Sequence, residues 1–440
     1  MMHVLVMALF PPHEWPLWRD FAEAWARGEV RAPRFSFSSL SREEITLSGG
    51  GPLSRRLEKY LAWDGHLWLC SVPGGHATTG LIVERKSLGL VAEPGFLSGL
   101  DALGLESWNT AATGFLPSKE ITAGFTRLCL TYSFGSGTAF FGRNKAFWSP
   151  LLLSGLPTDG LGFTYARGPL SFSYLLLQLD DFRADSAEWF KERWLQPGDR
   201  LRRFFVGKRL EWAPSENLTL SFTEGAAYAT LFALPPLSAL NPITSLYINQ
   251  WVYQDNCNIL WELGLSARLR RTGIFAALLI DDMQFNPDYW DREPADLGFY
   301  FRTILPVASF YIDLGHQGVS AYTYNNTKRY DRYALHGVSL GISDGPGSNR
   351  TWAEAGWHLS ESVSLAAGFL NKRRGSTSLE TRNPRTGEYP DGWYMVPPVR
   401  TENLAYGRLS LAYRASWLEL TAGAGIGPFG KLSAGVLLPW

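Results

Sequence analysis

Five acidic side chains between Asp281 and Glu293 form the densest group able to do chemistry: Asp281, Asp282 and Asp288, then Asp291 and Glu293. Oxygen ligands of this kind suit a divalent cation or sugar hydroxyls, provided they converge on one point. Pro287 and Pro294 make the stretch a loop, and a solvated strand end is the competing reading. Paired carboxylates also serve glycoside hydrolysis, for which the candidates are Glu224, Glu262 and Asp281. Other chemistries lack their parts. Gly135-Ser136-Gly137 with Arg143 has no Gly-Lys-Ser/Thr ending and reads as a turn between strands. Leu153-Ser154-Gly155 lacks the flanking glycine of a nucleophile elbow. Cys70, Cys129 and Cys257 form no CxxC pair, and His66 and His76 bracket a strand without a nearby carboxylate. Neither a metal nor another cofactor is expected, nor an enzyme.

The elements that must carry these groups are strands. Asn258 to Gln284 is the clearest. Ile259, Trp261, Leu263, Leu265, Ala267 and Leu269 fall on one parity, and Glu262, Gly264, Ser266, Arg268 and Arg270 on the other. Successive strand side chains point to opposite faces, so one face is apolar and one polar. Arg271-Thr272-Gly273 supplies a turn, and the apolar run Ile274 to Ile280 returns as the second strand of a hairpin. The pattern recurs at Leu128 to Phe134, Leu218 to Thr223, His336 to Ile342, Trp352 to Leu359, Val363 to Phe369 and Trp417 to Ile426. Tight turns alternate crudely with long polar loops such as Arg373 to Val399. Arg202-Arg203 and Lys208-Arg209 form a basic cluster, read as a solvated loop or as a contact for acidic lipid or polysaccharide.

The totals choose among solvents for the apolar face. With 41 basic and 41 acidic residues the chain is neutral, so no global field favours nucleic acid. Aromatic residues make up 14 % of 440, including 18 Trp and 18 Tyr, side chains suited to a surface that is dry at one end and wet at the other. Mean hydropathy is −0.10 and no run approaches the roughly 18 apolar residues of a membrane helix. Segments of about ten residues with one apolar face match a membrane barrel, whose strands average to neutral hydropathy. In that reading the apolar stripes meet lipid. Arg143, Glu224, Glu262, Arg268 and Arg270 then line the lumen, with Asp281, Asp282 and Asp288 as loop or ligand candidates. A soluble sandwich or propeller remains open on the pattern alone.

Three stretches carry a resemblance. Phe141-Gly142-Arg143 with Trp148-Ser149-Pro150-Leu151-Leu152-Leu153-Ser154, and Asn241-Pro242 with the hairpin ending Asp281-Asp282-Met283-Gln284, resemble segments of the Wzi-type capsule assembly family. The last ten residues, ending in Trp440, resemble the assembly signal of outer-membrane barrels. Departures are Trp in place of terminal Phe, Pro439, and Ser149-Pro150 where the family has a glycine-rich run. The resemblance implies a monomer in the cell outer membrane, assembled by the barrel assembly machinery and holding capsular or other surface polysaccharide.

The expected architecture is therefore all-β: a closed antiparallel transmembrane β-barrel of about 16–18 strands over residues 117–440. A mixed, partly helical periplasmic region precedes it over 13–116. Residues 1–12 read either as the remnant of a signal segment or as a buried terminus. The expected function is non-enzymatic binding or organisation of surface polysaccharide, with outer-membrane lipid as the surround. The alternatives are a passive pore for small solutes and a soluble β-rich carbohydrate-active enzyme.

Overall fold

A computed structural model of the chain describes residues 65–98, 121–281, 296–379 and 400–439 apart from short gaps, together with Ala26. Strands dominate, in a 19-stranded antiparallel sheet. Setting aside the two-residue piece Phe182–Arg183, eighteen strands pair in chain order. The first, Gly65–Val72, also pairs with the last, Lys431–Pro439, from His66 opposite Pro439 to Ser71 opposite Ala434. Among the described residues the sheet thus begins at Gly65 rather than at 117: the strands Gly65–Val72, His76–Arg85 and Leu88–Ser98, within the region set apart as amino-terminal, belong to it. The part of the expected helical region that precedes Gly65 lies outside the described residues, save Ala26. That residue is helical and buried against Ile304 and Phe275.

Connections divide by end. At one rim the turns are tight: 135–136, 168–169, 216–217, 270–271 and 308–309. Four of these begin with a left-handed residue, Gly135, Gly168, Arg270 and Ala308 at φ of 53°, 58°, 58° and 52°. That twist matches the strands of a two-residue hairpin; glycine adopts it freely, whereas Arg270 and Ala308 do so against their Cβ. The other rim carries the long connections 179–199, 231–256 and 320–347.

The long hairpin is Cys257–Leu269 and Thr272–Asp281, so the turn falls at Arg270-Arg271, earlier than its Gly suggested. Leu263 and Leu269 are exposed on the outer face, while Leu260 and Glu262 are buried on the inner. Neighbouring strands obey the same rule. Leu210, Trp212, Leu220 and Phe222 are exposed, and Arg209, Glu211, Ser221 and Thr223 point inward. Near the tight-turn rim the outer face carries Tyr132, Phe134, Tyr165, Trp212, Phe310 and Trp357, the last two stacked with centroids 5.0 Å apart.

Two segments break the sequence pattern. Val338, Leu340 and Ile342 belong to no wall strand; they lie in connection 320–347, whose described residues carry the two-residue pair Ala334–Leu335 with Val338–Ser339 and a 3-10 turn at Arg329–Asp331. The basic cluster is not a loop either. It lies on Arg200–Ser215, where Arg203, Lys208 and Arg209 are all buried.

Candidate functional site

The interior is filled from the long-loop rim. Leu151, Leu152, Tyr324, Tyr333, Leu335, Leu340 and Ile342 pack against inward Phe205, Ala227, Leu260, Leu279, Trp352 and Leu370 of the wall. Close approach needs missing side chains. A Cβ on Gly225 would stand 2.9 Å from both the Phe205 ring and Tyr333 Oη, and one on Gly207 would stand 2.4 Å from the Trp148 ring.

Wall side chains tether this plug. The Tyr324 amide donates to Asp281 Oδ2 at 2.5 Å and holds Tyr324 in the left-handed region at φ 76°. Ser320 Oγ donates to Asp296 Oδ1 at 2.6 Å, and Arg203 Nε donates to the Tyr330 carbonyl at 2.8 Å. A second piece of plug is the turn after Ser149, whose hydroxyl accepts the Leu151 and Leu152 amides at 3.1 and 3.0 Å while donating to Glu262. The bonds from Asp281, Arg203 and Ser149 satisfy backbone groups that burial would otherwise leave unpaired, and the Ser320–Asp296 bond does the same for a buried hydroxyl.

Burial pushes the phenols of Tyr324 and Tyr333 above their ordinary value of 10.0, and the Asp281 and Glu262 charges act in the same direction. In the unfolded chain these phenols ionise near 10.0, in the plug only higher. Their contribution to stability is therefore complete below that pH and declines as pH rises past it. A spectrophotometric titration should show Tyr324 and Tyr333 among the phenols that ionise late, together with release of the plug. Independent ionisation of every tyrosine near 10.0 would count against the packing described.

Below the plug the inner wall is charged. Arg209 Nε donates to Glu211 Oε1 at 2.9 Å, and its Nη1 lies 3.6 Å from Glu262 Oε1 while donating to the Trp148 carbonyl at 3.1 Å. Across the lumen wall Arg302 binds Asp313 through both Nε and Nη2, at 2.9 and 2.5 Å. Trp148, Ser149, Arg209, Glu262, Tyr300 and Arg302 border a recess of about 70 Å³.

Of the five residues expected in the lumen, Glu262 is on its wall and Arg268 is on the same parity near the rim, bonded through Nε to Asn217 Oδ1 at 2.8 Å. Arg270 is an exposed turn residue. The other two are corrections. Glu224 shares its parity with exposed Leu220 and Phe222 and lies opposite Trp261, so it is on the outer face. Arg143 lies opposite exposed Leu128 and pairs with half-exposed Asp159 at 2.5 Å, also outside. The three carboxylates considered for glycoside hydrolysis therefore do not converge: Glu224 is across the wall from Glu262, and Asp281 tethers the plug. Asp282 and Asp288 lie outside the described residues. Cys129 and Cys257 are buried.

One cluster was not singled out from sequence. In connection 179–199, Glu188–Phe190 and Arg193–Leu195 form a small hairpin. Phe190 and Leu195 are buried with Phe182 and Tyr330, and the Phe190 and Tyr330 rings meet edge-on at 5.2 Å. On the hairpin's opposite face Trp189 and Trp194 stand 5.4 Å apart, 49 % and 60 % exposed. The available signal was two tryptophans five residues apart in an otherwise charged loop.

This arrangement, a large antiparallel sheet with apolar outer stripes, a polar inner wall and long loops at one rim, is the fold of outer-membrane β-barrel proteins. No protein-family model matches the chain, and no curated protein matches it by sequence. Among solved structures it is similar to Wzi of Escherichia coli, an outer-membrane protein involved in group 1 capsule assembly and described as a carbohydrate-binding β-barrel. The TM-score is 0.64 at 12 % identity, over 97 % of this chain and 98 % of that one. OccD3 (OpdP) and OpdK of Pseudomonas aeruginosa also match, with TM-scores of 0.41 and 0.43 at 11 % and 10 % identity. Each covers 86 % of this chain, over 90 % and 97 % of its own length.

Proposed function

We propose that the protein is a closed barrel of the cell outer membrane that binds or organises surface polysaccharide without chemistry of its own. The observation that carries this reading is the filled lumen. An eighteen-stranded ring is wide enough for a water channel, yet here tyrosines and leucines tethered by buried carboxylates and arginine occupy it. A passive pore has no use for such a plug, and the engagement of Glu211, Glu262 and Asp313 with arginines suits structure better than catalysis. The carbohydrate binding named for the similar Wzi structure, and the sequence resemblance to its family, support a capsular or related glycan as partner. The aromatic stripes and exposed outer face support the membrane, with the tight-turn rim towards the periplasm.

Trp189 and Trp194 provide a rigid aromatic platform at the loop rim, where flat apolar faces of sugar rings stack. Trp194→Ala should weaken retention of the cell's own polysaccharide about tenfold, since a lost aromatic contact of order 1 kcal/mol or a little more converts to that factor. Glycan pull-down with the folded protein measures it. No retention of any native surface polysaccharide by the unaltered protein would sink the binding reading, and stable large single-channel steps in a planar bilayer would sink closure.

A further inference from the structure

We infer that residues 231–253 are a lipid-embedded flap, laid down the outside of the wall with its apolar side chains among the acyl chains of the bilayer leaflet at the long-loop rim. The inference rests on the membrane reading above and adds a contact that the barrel wall does not supply.

The first observation is composition. Between Leu231 and Tyr253 there is no Asp, Glu, Lys or Arg, whereas connections 179–199 and 320–347 carry both signs of charge. Loops in water do not avoid charge over such a length, but a segment in hydrocarbon must. The second is exposure. Phe232, Leu237 and Ile243 are 76 %, 83 % and 92 % exposed, and Leu234 and Ile248 more than half. Large apolar side chains contiguous in one segment mark a surface that something covers.

The third observation is where the segment lies. Its helices, α1 (Leu237–Leu240) and α2 (Leu246–Tyr253), rest on the outer face. Ala239 and Leu246 pack with Tyr174, Val206, Ala226 and Tyr228 of the wall. Directly beside this contact the wall exposes Leu210, Phe222 and Leu263, so the flap continues the belt read as lipid-facing. Two charges of the outer wall, Lys208 and Glu224, fall under it. Glu224 accepts the Leu246 and Tyr247 amides at 2.7 and 2.9 Å, Ser245 Oγ at 2.8 Å and Trp261 Nε1 at 3.3 Å. Lys208 donates to the Thr244 carbonyl. Anion at a helix start and cation at a carbonyl are each the favourable pairing. The flap therefore hides the charges that would be costly on a lipid-facing wall and offers lipid an uncharged surface instead.

Single cysteines in a background lacking Cys70, Cys129 and Cys257, carrying an environment-sensitive fluorophore, test this in phosphatidylcholine vesicles with brominated acyl chains. Ile243→Cys should lose fluorescence to the brominated chains as Leu263→Cys on the wall does, while Trp194→Cys at the rim should keep it. If Leu263→Cys is quenched and Ile243→Cys behaves like Trp194→Cys, the flap lies in water and the inference falls while the membrane reading stands. If Leu263→Cys is not quenched either, the membrane reading falls and the flap with it.

Discussion

Replacing residues 321–346 with a short Gly-Ser link should give a conducting pore with a larger current than the unaltered protein passes. The segment contributes Tyr324, Tyr333, Leu335, Leu340 and Ile342 to the interior packing, and no strand of the ring. Strands Phe310–Val319 and Ser348–His358 already pair from Phe310 opposite Trp357 to Gly318 opposite Asn349, so a shorter link need not disturb the wall. Removal uncovers inward Cys129, which is packed in the same cluster. Two readouts follow: stable current steps in a planar bilayer, and fast alkylation of Cys129 in the folded barrel. Cys129 reports on the plug even if Ala26, which packs on inward Ile304 and Phe275, still narrows the opposite end. A folded variant in which Cys129 stays as slow to react as before would show that the loop does not close the lumen. Lesser openings should rank by tether. Asp281→Ala removes the acceptor that holds Tyr324 at positive φ and leaves a buried amide unpaired.

What was legible in the sequence is what the period of two encodes. The stripe Ile259 to Leu269 identified a strand with a charged inner face, and Glu262 is on that face because parity is a backbone property. The same rule, carried through, places Glu224 outside, since it follows Leu220 and Phe222 at even spacing. It also puts Arg143 outside, two residues after exposed Phe141. Both were assigned inward on charge rather than parity, and charge proved the weaker guide because each has a local partner on the outer face. The plug was illegible for a different reason. Val338, Leu340 and Ile342 alternate like a strand, but Leu340 and Ile342 serve packing against the inner face of the sheet, which no local pattern reports. The flap was half legible: its lack of charge is plain in the sequence, and its position against the wall is not.

The second large effect concerns the inner wall's ion pair. Arg302 and Asp313 are both buried and joined by two hydrogen bonds, with Trp352 Nε1 also directed at Asp313 Oδ1 at 3.4 Å. Arg302→Met keeps the length and apolar stem of the side chain but strands the carboxylate, and breaking such a pair from one side costs about 3–5 kcal/mol. Against a typical total stability of roughly 5–15 kcal/mol this is a large fraction. The double variant Arg302→Met, Asp313→Leu removes both charges together. Because the attraction between buried charges barely repays their desolvation, the double variant should recover most of the loss or exceed the original stability. Urea unfolding of the vesicle-reconstituted barrel, followed by tryptophan fluorescence, measures all three. Equal destabilisation by single and double variants would mean that the pair holds the wall by more than mutual compensation, and would make Arg302 a candidate for contact with whatever enters the recess it borders. Recovery in the double variant would instead identify the charged girdle below the plug as scaffolding and leave ligand recognition to the loop rim.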